Sequence, residues 1–189
     1  MANPARDALQ HYAAGNLALA ERSARAALLQ APGNADAINL LAVICCRRGD
    51  LDRGVAWALL VLGQSPENVQ ALELLGDALH SRRDYAGAAQ AFGRAAAAGA
   101  GASGRLHAKR AYALHAAGDL SEAVTSYVAA VACSSIDPGL NVDMGRALAR
   151  LGRLAEAADA FRRAVAADPE LALAWLYLGE VLGRIGELE

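Results

Sequence analysis

Four histidines and three cysteines are the side chains of this 189-residue chain that could hold a metal ion or supply a nucleophile. Neither chemistry finds its spacing. No Cys-x-x-Cys or His-x-x-x-His pair occurs, and no Ser, His and Asp surround a strand-to-helix elbow. Cys46, His80 and His115 instead recur at one position of a repeating pattern. Side chains in such a row sit on helices about 8–10 Å apart, whereas metal ligands converge within about 2–2.3 Å of one ion. Cys45 falls in a core position and Cys133 near a helix end, where cysteine acts as a small hydrophobe. The segment Gly99-Ala100-Gly101-Ala102-Ser103-Gly104 matches the glycine pattern of a dinucleotide-binding turn. That turn needs a strand before it and an acid after a second strand, but an alanine-rich helix precedes this one, so it reads as a loosened linker. The pairs Arg47-Arg48, Arg82-Arg83 and Arg162-Arg163 read as solvated helix faces. No catalytic, cofactor or metal site is expected.

The elements that carry these residues are helices. Hydrophobic residues make up 55% of the chain but aromatics only 5%, and alanine supplies much of the remainder. Such a core favours closely packed helices over sheet. The net charge of −2 gives no basic excess of the kind that marks nucleic-acid binders. Lys109 is the only lysine beside many arginines, a bias expected of a GC-rich bacterial genome. The N-terminus lacks an apolar signal core, and no apolar run approaches the roughly 18 residues of a membrane span. The odd cysteine count does not suit a secreted disulfide framework. The expectation is a cytoplasmic protein without membrane insertion.

A period organises the helices. Turns at Gly15-Asn16, Gly49-Asp50, Arg83-Asp84, Gly118-Asp119, Gly152-Arg153 and Gly186-Glu187 are spaced 34, 34, 35, 34 and 34 residues apart. Each is followed by Leu17, Leu51, Tyr85, Leu120, Leu154 or Leu188, then by a small residue such as Ala20, Gly54 or Ala88. Four residues further on stand Ala24, Ala58, Phe92, Tyr127 and Phe161. Seven residues before each turn lies Ala8, Ala42, Gly76, Ala111, Gly145 or Gly179. Glycine takes the left-handed backbone that ends a first helix, and the Asp or Asn behind it caps the second. Small residues let the two helices approach, and Pro32, Pro66 and Pro169 stop the second helix. The pattern predicts helices over 3–14, 17–31, 35–48, 51–64, 69–82, 85–98, 104–117, 120–133, 138–151, 154–167 and 171–187.

The pattern resembles the tetratricopeptide repeat, whose 34-residue unit has the form W-x-x-L-G-x-x-Y, A-x-x-x-F, P. Met144-Gly145-x-x-Leu148, Ala157-x-x-x-Phe161 and Pro169 form one of the best copies, and Trp175-x-x-Leu178-Gly179-x-x-Leu182 another. The resemblance covers essentially the whole chain as repeats of about 1–34, 35–68, 69–103, 104–137 and 138–171, with a lone first helix over 172–189. Departures are Pro4 in place of a large side chain, alanine in the first two aromatic slots, and one residue inserted at the third boundary. The resemblance implies an all-α, right-handed superhelical α-solenoid, read as a single array, with the first helix of each pair lining a concave groove.

Carried onto this chain, the groove positions are Asp36, Asn39, Val43 and Arg47, then Gln70, Glu73, Asp77 and His80. Arg105, Lys109, Tyr112 and His115 follow, then Asp143, Arg146 and Arg150, and finally Tyr177, Glu180 and Arg184. Cys46 joins His80 and His115 in their row along this wall, where the histidines would hydrogen-bond a partner. The wall runs from acidic to basic and suits an extended or helical peptide of mixed charge. Two specialisations of the family fit poorly. Arg105 and Lys109 match a basic pair of the co-chaperone carboxylate clamp, but Val43 and Leu74 replace its asparagines. Leu40, Leu74, Lys109, Asp143 and Tyr177 replace the asparagine ladder of O-linked N-acetylglucosamine transferases.

The resemblance therefore implies a protein–protein interaction scaffold for a protein or peptide ligand. An alternative is the recognition arm of a larger glycosyl-, sulfo- or methyltransferase. A third reading is a self-assembling array. The last helix carries Trp175, Leu178, Leu182 and Leu188 with no second helix to cover them, so the repeat is expected to stop mid-unit and to favour self-association at that end.

Overall fold

The computed structural model describes residues 3–99, 103–133 and 137–186. Among these residues there are eleven helices: α1 Pro4–Ala13, α2 Leu17–Gln30, α3 Ala35–Arg47, α4 Leu51–Gln64, α5 Val69–Ser81, α6 Tyr85–Ala98, α7 Ser103–Ala117, α8 Leu120–Cys133, α9 Pro138–Arg150, α10 Leu154–Ala167 and α11 Ala172–Gly186. No strand occurs among them. The sequence-predicted helices agree with these to within a residue or two at each end. The expected turn at Gly186-Glu187 and the expected role of Leu188 involve residues outside those described, as do positions 100–102 of the glycine-rich segment.

The helices form two compact units, 1–98 and 99–189, divided where the repeat carries its extra residue. Each unit is a run of antiparallel hairpins, α1–α2, α3–α4 and α5–α6 in the first and α7–α8 and α9–α10 in the second, with α11 packed on α10 and α9. Each unit is thus an all-α run of stacked hairpins, as the tetratricopeptide resemblance implies.

The hairpin turns are built as the sequence implies. Gly15, Gly49, Gly118 and Gly152 have φ between +76° and +93°. In each turn the amide of the residue after the glycine closes back onto the first helix, as in Asp50 N–H to Cys45 C=O at 2.9 Å and Arg153 N–H to Leu148 C=O at 3.0 Å. The third turn has no glycine, and Arg83 occupies the same backbone conformation at φ 63°. Asp50 and Asp84 cap α4 and α6 by accepting from the amides of Arg53 and Gly87. Asn16, in the equivalent place, makes no side-chain cap bond. Asn34 and Asn68 cap first helices instead, accepting from Ala37 and Ala71 at 3.0 and 2.9 Å.

Small and aromatic slots meet inside the hairpins. A Cβ added to Gly76 would lie 2.5 Å from Phe92, and one added to Gly145 would lie 2.7 Å from Phe161. Both phenylalanines are almost wholly buried. In the N-terminal repeats, where the aromatic slot holds alanine, Ala8, Ala20, Ala24 and Ala27 pack with Leu40, Leu41 and Ile44, and Tyr12, Leu28 and Trp57 close around them. Tight helix approach replaces bulk there.

Candidate binding grooves

In the first unit, α1, α3 and α5 lie side by side and leave a groove of about 510 Å³. Its lining includes the sequence-predicted Asp36, Asn39, Val43, Gln70, Glu73 and Asp77, together with Leu9, Tyr12, Leu40 and Leu74. Leu9 and Tyr12 were not among the expected groove residues. They stand one repeat before Val43 and Cys46, so stepping the same register back by 34 residues would have found them. Asn39 differs from an ordinary wall residue because it is only 7% exposed. Its Oδ1 is buried without a hydrogen-bond partner. Arg47 places its guanidinium 4.8 Å from the centre of the Tyr12 ring.

The row of Cys46, His80 and His115 turns toward the hairpin interior. Cys46 Sγ sits where a Cβ on Gly54 of α4 would clash, at 2.5 Å. The His80 ring packs edge-on to Tyr85 of α6 with centroids 5.2 Å apart. His115 Nδ1 lies 3.4 Å from the hydroxyl of the fully buried Tyr127 in α8. These residues therefore contribute to the seam between paired helices, because the small or aromatic side chain opposite gives each a surface to pack on. Among the described residues no group of three or more His, Cys, Asp or Glu comes together as a metal site.

In the second unit, polar and aromatic groups form a chain across α7, α9 and α11. Tyr112 hydrogen-bonds Asp143; burial, the charges of Asp143 and Asp137, and that bond push its hydroxyl up to about 12. Asp143 accepts from Arg146 at 3.1 Å, and the Arg146 guanidinium lies 5.6 Å from the centre of the Tyr177 ring. Tyr177 stacks on Phe161 at 5.6 Å. A cavity of about 370 Å³ opens here, lined by Arg146, Ala149, Arg150, Phe161, Tyr177, Glu180, Val181 and Arg184. Burial, then the charges of Arg150 and Arg146, hold His115 below its ordinary range, with Asp143 opposing them. Arg105 and Lys109, on the first turns of α7, do not line this cavity.

The uncovered face expected on the last helix is confined to part of it. Leu173, Trp175, Leu176 and Leu182 are exposed, and Trp175 donates its indole N–H to the Pro169 carbonyl at 2.9 Å. Leu178 is buried, because the side of α11 that carries it faces the preceding hairpin. Among the described residues no helix is long and apolar enough to cross a membrane.

The helical hairpins, their glycine turns and their small-to-aromatic seams define a helical-repeat protein. The family model described as "Tetratricopeptide repeat" matches residues 7–69, 60–103 and 142–189. The chain belongs to the tetratricopeptide repeat family, a family of protein-interaction scaffolds. Among solved structures, MamA is similar at 18% identity and TM-score 0.78 over 86% of this chain and 95% of that one. A thermophilic TPR protein of Thermus thermophilus is similar at 19% identity and TM-score 0.61, over 95% and 97%. YrrB, described as a TPR protein with an unusual peptide-binding site, is similar at 21% identity and TM-score 0.77, over 86% and 84%. At these identities the likeness is one of fold. No curated protein sequence matches significantly.

Proposed function

We propose that this protein is an interaction scaffold that holds a peptide segment or helix of another protein against the first helices of its repeats. The observation that carries this reading is the groove of about 510 Å³ built from α1, α3 and α5, with an apolar floor and a charged rim. A floor of Leu, Val and Tyr side chains offers area to desolvate, and the rim sets orientation and partner choice. The peptide-binding site described for YrrB supports looking for a peptide ligand here. The second-unit cavity, with Arg146, Arg150 and Arg184, extends the same reading to acidic side chains. The test is capture of partners from the native lysate by the full chain and by variants altered on the inner wall. Charge reversal at Arg150 and Arg184, which line the second-unit cavity, is expected to weaken capture while leaving the melting temperature unchanged. A partner set insensitive to every inner-wall substitution would overturn the reading.

A second reading concerns a second copy of the chain. The exposed Leu173, Trp175, Leu176 and Leu182 favour self-association through α11. Sedimentation is expected to show concentration-dependent oligomers that disappear when Trp175 and Leu176 are replaced by glutamine. A strict monomer at high concentration would exclude it.

A further inference from the structure

We infer that a second copy of this chain packs antiparallel on α11, about a two-fold axis at the level of Gly179. This rests on the self-association reading above and specifies its geometry. Successive helical residues are turned by about 100°. Ala172, Trp175, Leu176, Leu182, Gly183 and Gly186 therefore all fall within about 60° of Gly179 around α11. All of them are exposed, Trp175 at 53%, Leu176 at 63% and Leu182 at 42%. A Cβ added to Gly179, Gly183 or Gly186 would meet nothing within 4 Å. This stripe carries no ionisable group. Glu180 and Arg184 lie on the side of α11 that lines the cavity.

The stripe is self-complementary about Gly179. A two-fold antiparallel pair sets each residue before Gly179 level with the residue equally far after it on the second copy. Trp175 then meets the second copy's Gly183, Leu176 meets its Leu182, and Ala172 meets its Gly186. A ring seated on glycine is the packing this chain already uses inside its hairpins. Phe92 lies 2.5 Å from where a Cβ on Gly76 would stand, and Phe161 lies 2.7 Å from one on Gly145. Trp175 is held for the contact, because its indole N–H donates to the Pro169 carbonyl at 2.9 Å. Less side-chain freedom is then lost on association. With no charge on either stripe, two copies meet without repulsion, and a partner selected by charge finds nothing there to pair with. Two such faces bury on the order of 1,000 Å², the low end of specific interfaces. The dimer is accordingly expected to dissociate at about 10–100 μM, so dilute melts report the single chain.

The experiment is sedimentation velocity on the full chain from about 5 to 500 μM. One monomer–dimer equilibrium is expected, with no larger species, because a two-fold contact closes on itself. Gly183→Gln fills the space for the opposing indole and is expected to weaken the dimer about tenfold, with helical circular dichroism unchanged. Leu173→Gln alters a residue that is 53% exposed but about 120° away from Gly179, and is expected to leave the dimer as it is. Gly179→Cys, placed in a Cys133→Ser chain to remove the exposed thiol, is expected to oxidise to a covalent dimer. Leu173→Cys in the same chain is expected not to. Larger oligomers, an unchanged dimer in Gly183→Gln, or a dimer that Gly179→Cys fails to cross-link would overturn the inference. If replacing Trp175 and Leu176 with glutamine still abolishes those species, the self-association reading stands. A strict monomer across the whole range would remove both.

Discussion

Arg83 is the residue at which this chain departs most sharply from its own rule. Its backbone sits at φ 63°, where the other hairpin turns place glycine. A side chain in that region costs roughly 1–2 kcal/mol relative to the ordinary helical region, and the extra freedom of an unfolded glycine offsets part of the gain. Arg83→Gly is expected to raise unfolding free energy by about 0.5–1 kcal/mol, read from the urea midpoint. His115 sets a pH dependence at the same scale. Burial and the charges of Arg150 and Arg146 favour its neutral form in the fold, against the weaker pull of Asp143. Its stabilising contribution is therefore complete above the ordinary histidine range and is lost as pH falls through that range toward its lowered folded value. Urea midpoints are expected to drop on acidification in the native chain and to drop less in His115→Gln, whose side chain can still meet the Tyr127 hydroxyl.

At the scale of the element, the seam between paired helices separates glycines that are needed from glycines that are tolerated. A methyl at Gly145 would press on Phe161 at 2.7 Å, whereas one at Gly179 would meet nothing within 4 Å. Gly145→Ala is expected to destabilise by about 1–3 kcal/mol. Gly179→Ala, on an exposed stretch of α11, is expected to stabilise by about 0.5–1 kcal/mol; thermal unfolding of the two variants compares them directly. These contacts were readable beforehand because the period fixes which slot of the first helix faces which slot of the second. The inner wall was less readable. Its register picked out Asp36, Asn39, Glu73 and Asp77, but it missed Leu9 and Tyr12. It placed His80 and His115 on the same wall, and the structure adds that both, half-buried, pack edge-on against Tyr85 and Tyr127 of the paired helix. Slot position reports a direction on the helix, and the side chain opposite decides where a long or planar group settles. The burial of Asn39 had no signal in its spacing at all, since only the neighbours' volumes determine it.

For the molecule as a whole, the contacts are local: each hairpin packs on itself and on the next element of its unit. Stability in such chains accumulates from hairpins and their interfaces with no single central core. The division at Ala98 and Gly99 falls where the repeat gains its extra residue and where glycines interrupt the alanine-rich sequence. A fragment of residues 1–98 is accordingly expected to retain helical circular dichroism and a cooperative melt. Loss of both on removing the second half would show that the hairpins are not self-sufficient. The division also distributes the chain's two tryptophans, one to each half. Trp57 is half-buried against the alanine-rich core of the first unit, and Trp175 stands 53% exposed on α11. Each half thus carries its own optical reporter, shielded in one case and wet in the other. Replacing either indole with phenylalanine leaves emission that follows only the half that keeps its indole.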